Sequence, residues 1–67
     1  MNFFQISIKP EFGQLLEEVL VENTGSNIEE VYEEPEKWII IASTNKTEKE
    51  LVDIISEYIE RKDFIIC

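Results

Sequence analysis

The chain contains no histidine, one cysteine, two glycines and two prolines in 67 residues. The lack of histidine excludes Cys-His and Ser-His nucleophile pairs and most zinc sites. A single cysteine, Cys67, cannot form an intramolecular disulfide. Glycine-rich phosphate loops are absent, because Gly13 and Gly25 are far apart in the sequence. We therefore expect a protein that is not an enzyme and that uses no metal or cofactor.

Basic residues are scarce, with six Lys and Arg against fifteen Asp and Glu and a net charge of −9. Such a charge repels nucleic-acid phosphates, so we expect no direct binding to DNA or RNA. No apolar run approaches the roughly 20 residues that span a bilayer, so we expect no membrane insertion. The segment Met1–Phe4 has neither the basic region nor the small-residue cleavage site of a signal peptide. This pattern predicts a cytoplasmic protein.

The first half of the chain reads as a strand followed by a helix. Residues 2–9 alternate with a period of two, which places every second apolar side chain on one face. Apolar residues spaced i, i+3, i+4, i+7 and i+8 then predict a helix from Pro10 to about Asn23. Gly25 follows, where a left-handed residue commonly ends a helix.

The second half predicts two strands, a helix and a final strand. Residues 28–34 carry so many glutamates that they read as an edge strand, whereas residues 38–44 are apolar on both faces. Thr47 and Glu50 have the spacing of a capping box, which begins a helix whose apolar stripe extends to Ile59. Residues 64–67 form the last strand. One domain covers residues 1–67.

This order predicts an α+β, ferredoxin-like βαββαβ sandwich, in which two helices cover one face of a four-stranded antiparallel sheet. The first and third strands should be central. The other face is open, and the third strand offers apolar side chains to it in either register. Contiguous exposed apolar surface commonly marks an interaction site, so we expect a homodimer. The interface candidates are Phe3, Trp38, Ile39, Ile40 and Ile41.

Five glutamates lie between Glu29 and Glu36. On a regular strand Glu29 and Glu33 face away from Glu30 and Glu34, so these acids would not converge on a hard metal ion. We expect a solvated acidic edge. An alternative is an acidic protein inhibitor that mimics nucleic acid and blocks a basic nucleic-acid-binding enzyme.

Two short patterns carry a resemblance to a known family. Pro10-x-x-Gly13-x-Leu15 enters the first helix, and Asn27-Ile28-Glu29-x-Val31 opens the second strand. With the βαββαβ order, the whole chain resembles an ACT domain. The resemblance implies a small regulatory module that pairs with another copy or a protein partner and binds an amino acid or similar effector at the interface.

The same resemblance implies where an effector would bind. The site would combine the turn before the first helix with the start of the second strand, and the helix N-terminal N–H groups could hold a carboxylate. Gly13 would serve either the ligand turn or the packing of the helix. The candidate ligand-binding residues are Pro10, Glu11, Phe12, Gly13, Asn27 and Ile28.

Overall fold

A single four-stranded sheet, with two helices on one face, accounts for the whole fold in the computed structural model, which describes all 67 residues. The sheet order is β2-β3-β1-β4 and neighbouring strands are antiparallel. The predicted ferredoxin-like βαββαβ fold, with its first and third strands in the centre, is confirmed. The elements are β1 (Asn2–Ile8), α1 (Gly13–Asn23), β2 (Asn27–Glu33), β3 (Trp38–Thr44), α2 (Glu48–Ile55) and β4 (Phe64–Ile66).

Short 3₁₀ helices connect some of these elements. One of them, Pro10–Phe12, precedes α1, and the other, Arg61–Asp63, precedes β4. The helix α2 ends at Ile55, earlier than its apolar stripe predicts, and the chain continues in turns. Ile59 nevertheless remains buried in the core, and its N–H still donates to the Ile55 carbonyl at 2.9 Å. Neither α1 nor α2 is long and apolar enough to cross a membrane.

The core lies between the sheet and the two helices. Antiparallel partners share a face, and β1 pairs Ile6 with Ile40 and Ile8 with Trp38, so these side chains face the helices. The helices contribute their own apolar stripes. The buried cluster consists of Ile6, Ile8, Leu16, Val19, Leu20, Ile40, Ala42, Leu51, Ile55, Ile59 and Phe64.

The strand β2 contains a bulge at Glu29. Ile28 pairs with Ala42 and Glu30 pairs with Ile41, so Glu29 is an extra residue between consecutive pairs. A bulge interrupts the alternation of side chains. The prediction that Glu29 and Glu30 face opposite sides is therefore wrong.

Partners of the two glutamates show the face on which each lies. Glu29 accepts a hydrogen bond from Ser43 Oγ at 2.6 Å, and Ser43 pairs with Phe3 on the open face. Glu30 lies opposite Ile41, which is also on the open face. Both carboxylates therefore lie on the side of the sheet away from the helices.

The capping box at the start of α2 is confirmed. Thr47 Oγ1 accepts from the Glu50 N–H at 3.2 Å, and Glu50 Oε1 accepts from the Thr47 N–H at 2.9 Å. The hydrogen bond from the Thr47 backbone, together with one to its side chain, lowers the pKa of the Glu50 carboxyl. The charged form of Glu50 is thus favoured by folding.

This lowered pKa predicts a pH effect on stability. The contribution of Glu50 is fully present above its unfolded-state pKa and is lost as the pH falls through its lower folded-state pKa. In Glu50→Gln the unfolding free energy should therefore fall less steeply than in the wild type between about pH 6 and pH 3. Urea unfolding at several pH values measures this. A slope in Glu50→Gln equal to that of the wild type would contradict the assignment of this pH effect to Glu50.

Candidate functional site

The two halves of the predicted effector site lie at opposite ends of the sheet. Pro10 follows the end of β1, where Ile8 pairs with Trp38. Asn27 pairs with Ser43 near the other end of β3. Trp38 and Ser43 are five residue steps apart, which corresponds to about 17 Å along a strand. The predicted site, which would join Pro10 and Gly13 to Asn27 and Ile28, is therefore not assembled within one chain.

Gly13 packs closely against the Trp38 indole. A Cβ at this position would lie within 2.6 Å of three atoms of the Trp38 indole. Its φ of −58° is ordinary helical geometry, so only the close approach of Trp38 requires glycine. Of the two roles left open by the sequence, the structure supports helix packing, and the ligand turn stays a prediction.

Glu11 and Phe12 line a cleft of about 450 Å³ between the two 3₁₀ helices and the segment after α2. Within it, Lys9 Nζ lies 2.9 Å from Asp63 Oδ1, and the Asp63 side chain is only 8% exposed. Hydrogen bonding and charge attraction by Asp63 raise the pKa of Lys9. Asp63 Oδ1 has no further polar partner, so the Lys9 ammonium is the group that offsets its burial. The ion pair ties the end of β1 to the segment before β4.

The open face of the sheet carries the largest exposed apolar side chains of the strands. Phe3 on β1 is 66% exposed and Ile65 on β4 is 62% exposed, with Tyr32 on β2 also exposed. Ile39 and Ile41 on β3 lie between them and are half-buried. The register sets three rows across this face: Tyr32, Ile39, Ser7 and Ile65; Glu30, Ile41 and Gln5; and Asn27, Ser43 and Phe3.

Three of the five interface candidates, Phe3, Ile39 and Ile41, lie on this open face. Trp38 and Ile40 face the helices, so neither contributes to the open face, and Ile40 cannot contact a partner because it is completely buried in the core. The cause is the register of β3, which the sequence left open.

Tyr32 and Ile65 also lie on the open face, although the sequence did not predict them there. Ile65 could have been found from the alternation of Phe64, Ile65 and Ile66 in the last strand. The position of Tyr32 depends on the bulge at Glu29, for which no sequence signal was evident.

Charged groups of opposite sign border the open face. Glu29 and Glu30, which we call the acidic edge, lie on the outer strand β2. The Tyr32 hydroxyl donates to the Glu30 carboxylate, and this hydrogen bond raises the pKa of Tyr32. The acidic edge is thus held by side chains of the face itself.

Three lysines lie at the corner of the face that is opposite the acidic edge. Lys9, Lys37 and Lys62, which we call the lysine corner, line a cleft of about 180 Å³ together with Ser7 and Ile65. Glu36 and Asp63 line the same cleft, and Asp63 is paired with Lys9. Three of the six basic residues of the chain therefore line the same cleft.

No family model, curated protein or solved structure matches the chain. The similarity to ACT domains thus remains a prediction from the sequence pattern.

Proposed function

We propose that the chain is a small, non-enzymatic interaction module similar to ACT domains, and that it pairs with a second copy through the open face of its sheet. The observation that carries this proposal is the apolar surface that crosses all four strands in a protein of net charge −9. Its function would be regulatory, exerted through association in the cytoplasm, where Cys67 stays a free thiol.

The size of the open face supports reversible pairing. Strands about 4.8 Å apart and about 3.3 Å long per residue give a four-stranded face roughly 19 Å by 23 Å. Standard protein interfaces bury about 800 Å² on each partner, and this face lies below that size. Burial of Phe3 and Ile65 supplies the hydrophobic contribution, at about 25 cal/mol for each Å² of apolar area. We expect a dimer that dissociates at micromolar concentration.

The acidic inhibitor is the second candidate, and one observation favours it. The bulge at Glu29 brings two carboxylates to the open face, where they could replace phosphates on a basic enzyme. Such a role requires a basic partner of another kind, whereas pairing through apolar residues requires only a second copy of the chain. Because apolar side chains of the face lie on all four strands, whereas Glu29 and Glu30 lie only on the outer strand β2, we place the interaction module first.

Sedimentation equilibrium tests the proposal. The wild-type mass should rise with concentration from 7.9 kDa towards twice that value. Phe3→Glu or Ile65→Glu should raise the dissociation constant at least tenfold, because a buried unpaired charge opposes association. Val21→Glu is the matched control, since Val21 is 51% exposed on α1, and it should leave the dissociation constant unchanged.

Two outcomes would contradict the proposal. One is a wild-type chain that stays monomeric at every concentration while its circular dichroism shows a folded protein. The other is an equal loss of pairing in Val21→Glu and Phe3→Glu, which would mean that added charge, rather than its position, governs association.

A further inference from the structure

We propose that two copies meet face to face around a two-fold axis, with the acidic edge of one copy over the lysine corner of the other. This inference rests on the proposed function, because it states how the open face recognises its partner. It assigns the polar groups at the border of the face a role in orienting the pair.

The positions of the charges make the face self-complementary. The acidic edge lies in the first half of β2, one outer strand of the sheet. Lys9 follows β1 and Lys62 precedes β4, the other outer strand, so both lie at the opposite end of the sheet. Ile39 and Ile41 lie between these two corners, whereas Tyr32 adjoins the acidic edge and Ile65 lines the cleft of the lysine corner. The acids and the lysines are therefore diagonal to each other across the face.

In a dimer with two-fold symmetry, each contact between the two copies occurs twice. In an isologous interface, if one patch contacts a second patch on the partner, the reverse contact also forms. One orientation of the pair thus creates two contacts between an acidic edge and a lysine corner. In the alternative orientation, the acidic edge of one copy would lie on the acidic edge of the other, and the two lysine corners would also meet. Repulsion between these like charges disfavours that orientation. Charge selects one of the ways in which the apolar residues could meet.

The charges involved lack strong partners within one chain. Lys37 forms no ion pair, and Glu29 and Glu30 have no cation within ion-pair distance. Lys62 lies 3.5 Å from Glu60, but the two side chains are 72% and 73% exposed, so this contact contributes little. Glu36 offsets one lysine of the corner, and Asp63 is already paired with Lys9. With Glu60 counted, three acids lie near the three lysines, so what the corner offers a second copy is Lys37, which forms no ion pair, and the exposed Lys62.

Charge reversal tests this arrangement, because overall repulsion and specific pairing predict opposite changes in the dissociation constant. The change Glu29→Lys with Glu30→Lys adds +4 to the net charge of −9 and leaves −5. If only overall repulsion mattered, this variant would pair more tightly. We expect the opposite, a dissociation constant at least tenfold higher at low salt, because lysines then face lysines. Glu18→Lys with Glu22→Lys on α1 makes the same charge change away from the face and should pair as well as the wild type or better.

The second half of the test reverses the other corner. Lys37→Glu with Lys62→Glu should weaken pairing by a similar factor, and combining all four substitutions should restore the dissociation constant to within about threefold of the wild type. Thermal melts establish that each variant is folded. The effects should shrink as salt is added, since the charges lie at the border of the contact.

The results separate this inference from the function on which it rests. A monomeric wild-type chain would overturn both. A wild-type dimer whose acid-reversed variant pairs as tightly as the α1 control, or whose four-fold variant shows no recovery, would overturn the charge-oriented arrangement and leave pairing through the open face intact.

Discussion

Replacing Phe64 with alanine should remove about 3–5 kcal/mol from the free energy of unfolding. Phe64 is a fully buried side chain of the core, at the start of β4. The Arg61 guanidinium lies 4.9 Å from its ring centroid and donates to its carbonyl at 2.8 Å. At about 0.05–0.15 kcal/mol per residue, a domain of 67 residues has a stability of about 3–10 kcal/mol, so this loss removes about a third of it or more. We expect Phe64→Ala to unfold at a much lower urea concentration than the wild type.

Urea unfolding followed by circular dichroism measures this loss. The adjacent Ile65 provides the control, because it is exposed on the open face, and Ile65→Ala should change the stability of the monomer by no more than about 0.5 kcal/mol. Phe64→Leu should fall between the two. Similar losses for Phe64→Ala and Ile65→Ala would show that β4 contributes to the fold as a whole strand and not through the buried ring.

Replacing Gly13 with alanine should destabilise the protein by about 2 kcal/mol, although alanine is the better helix former. The new methyl group would overlap the Trp38 indole, which must then move away from α1. For a domain of this size the melting temperature should fall by roughly 10 °C. The indole is rigid, so the clash cannot be relieved by a small rotation at the end of a flexible side chain.

A double-mutant cycle isolates this contact. In a Trp38→Leu background Gly13→Ala should cost at least 1 kcal/mol less than in the wild type, because the indole is gone. Gly25→Ala is the control: Gly25 has a φ of +68° and open space around it. Its cost of about 1 kcal/mol comes from the backbone and should be the same in both backgrounds. An unchanged cost for Gly13→Ala would contradict the packing role.

Features that depend on neighbouring residues could be read from the sequence. The alternation of β1, the stripe of α1, the capping box at Thr47 and the left-handed Gly25 all rest on contacts within a few residues. Each of these local preferences agrees with the others, which is why the order of elements and the fold class followed from them. The ends of the helices follow less directly from local pattern, since α2 ends at Ile55 although its apolar stripe extends to Ile59.

The identity of the site residues required the tertiary structure, because it depends on how distant segments align. The register of β1 against β3 places Trp38 and Ile40 on the helix side, and the contact between Gly13 and Trp38 joins two segments that no local pattern relates. One extra residue at Glu29 moves side chains between faces, since the period of a strand is two. Local propensity determined which segments are strands, but only their pairing determined which side chains face outward.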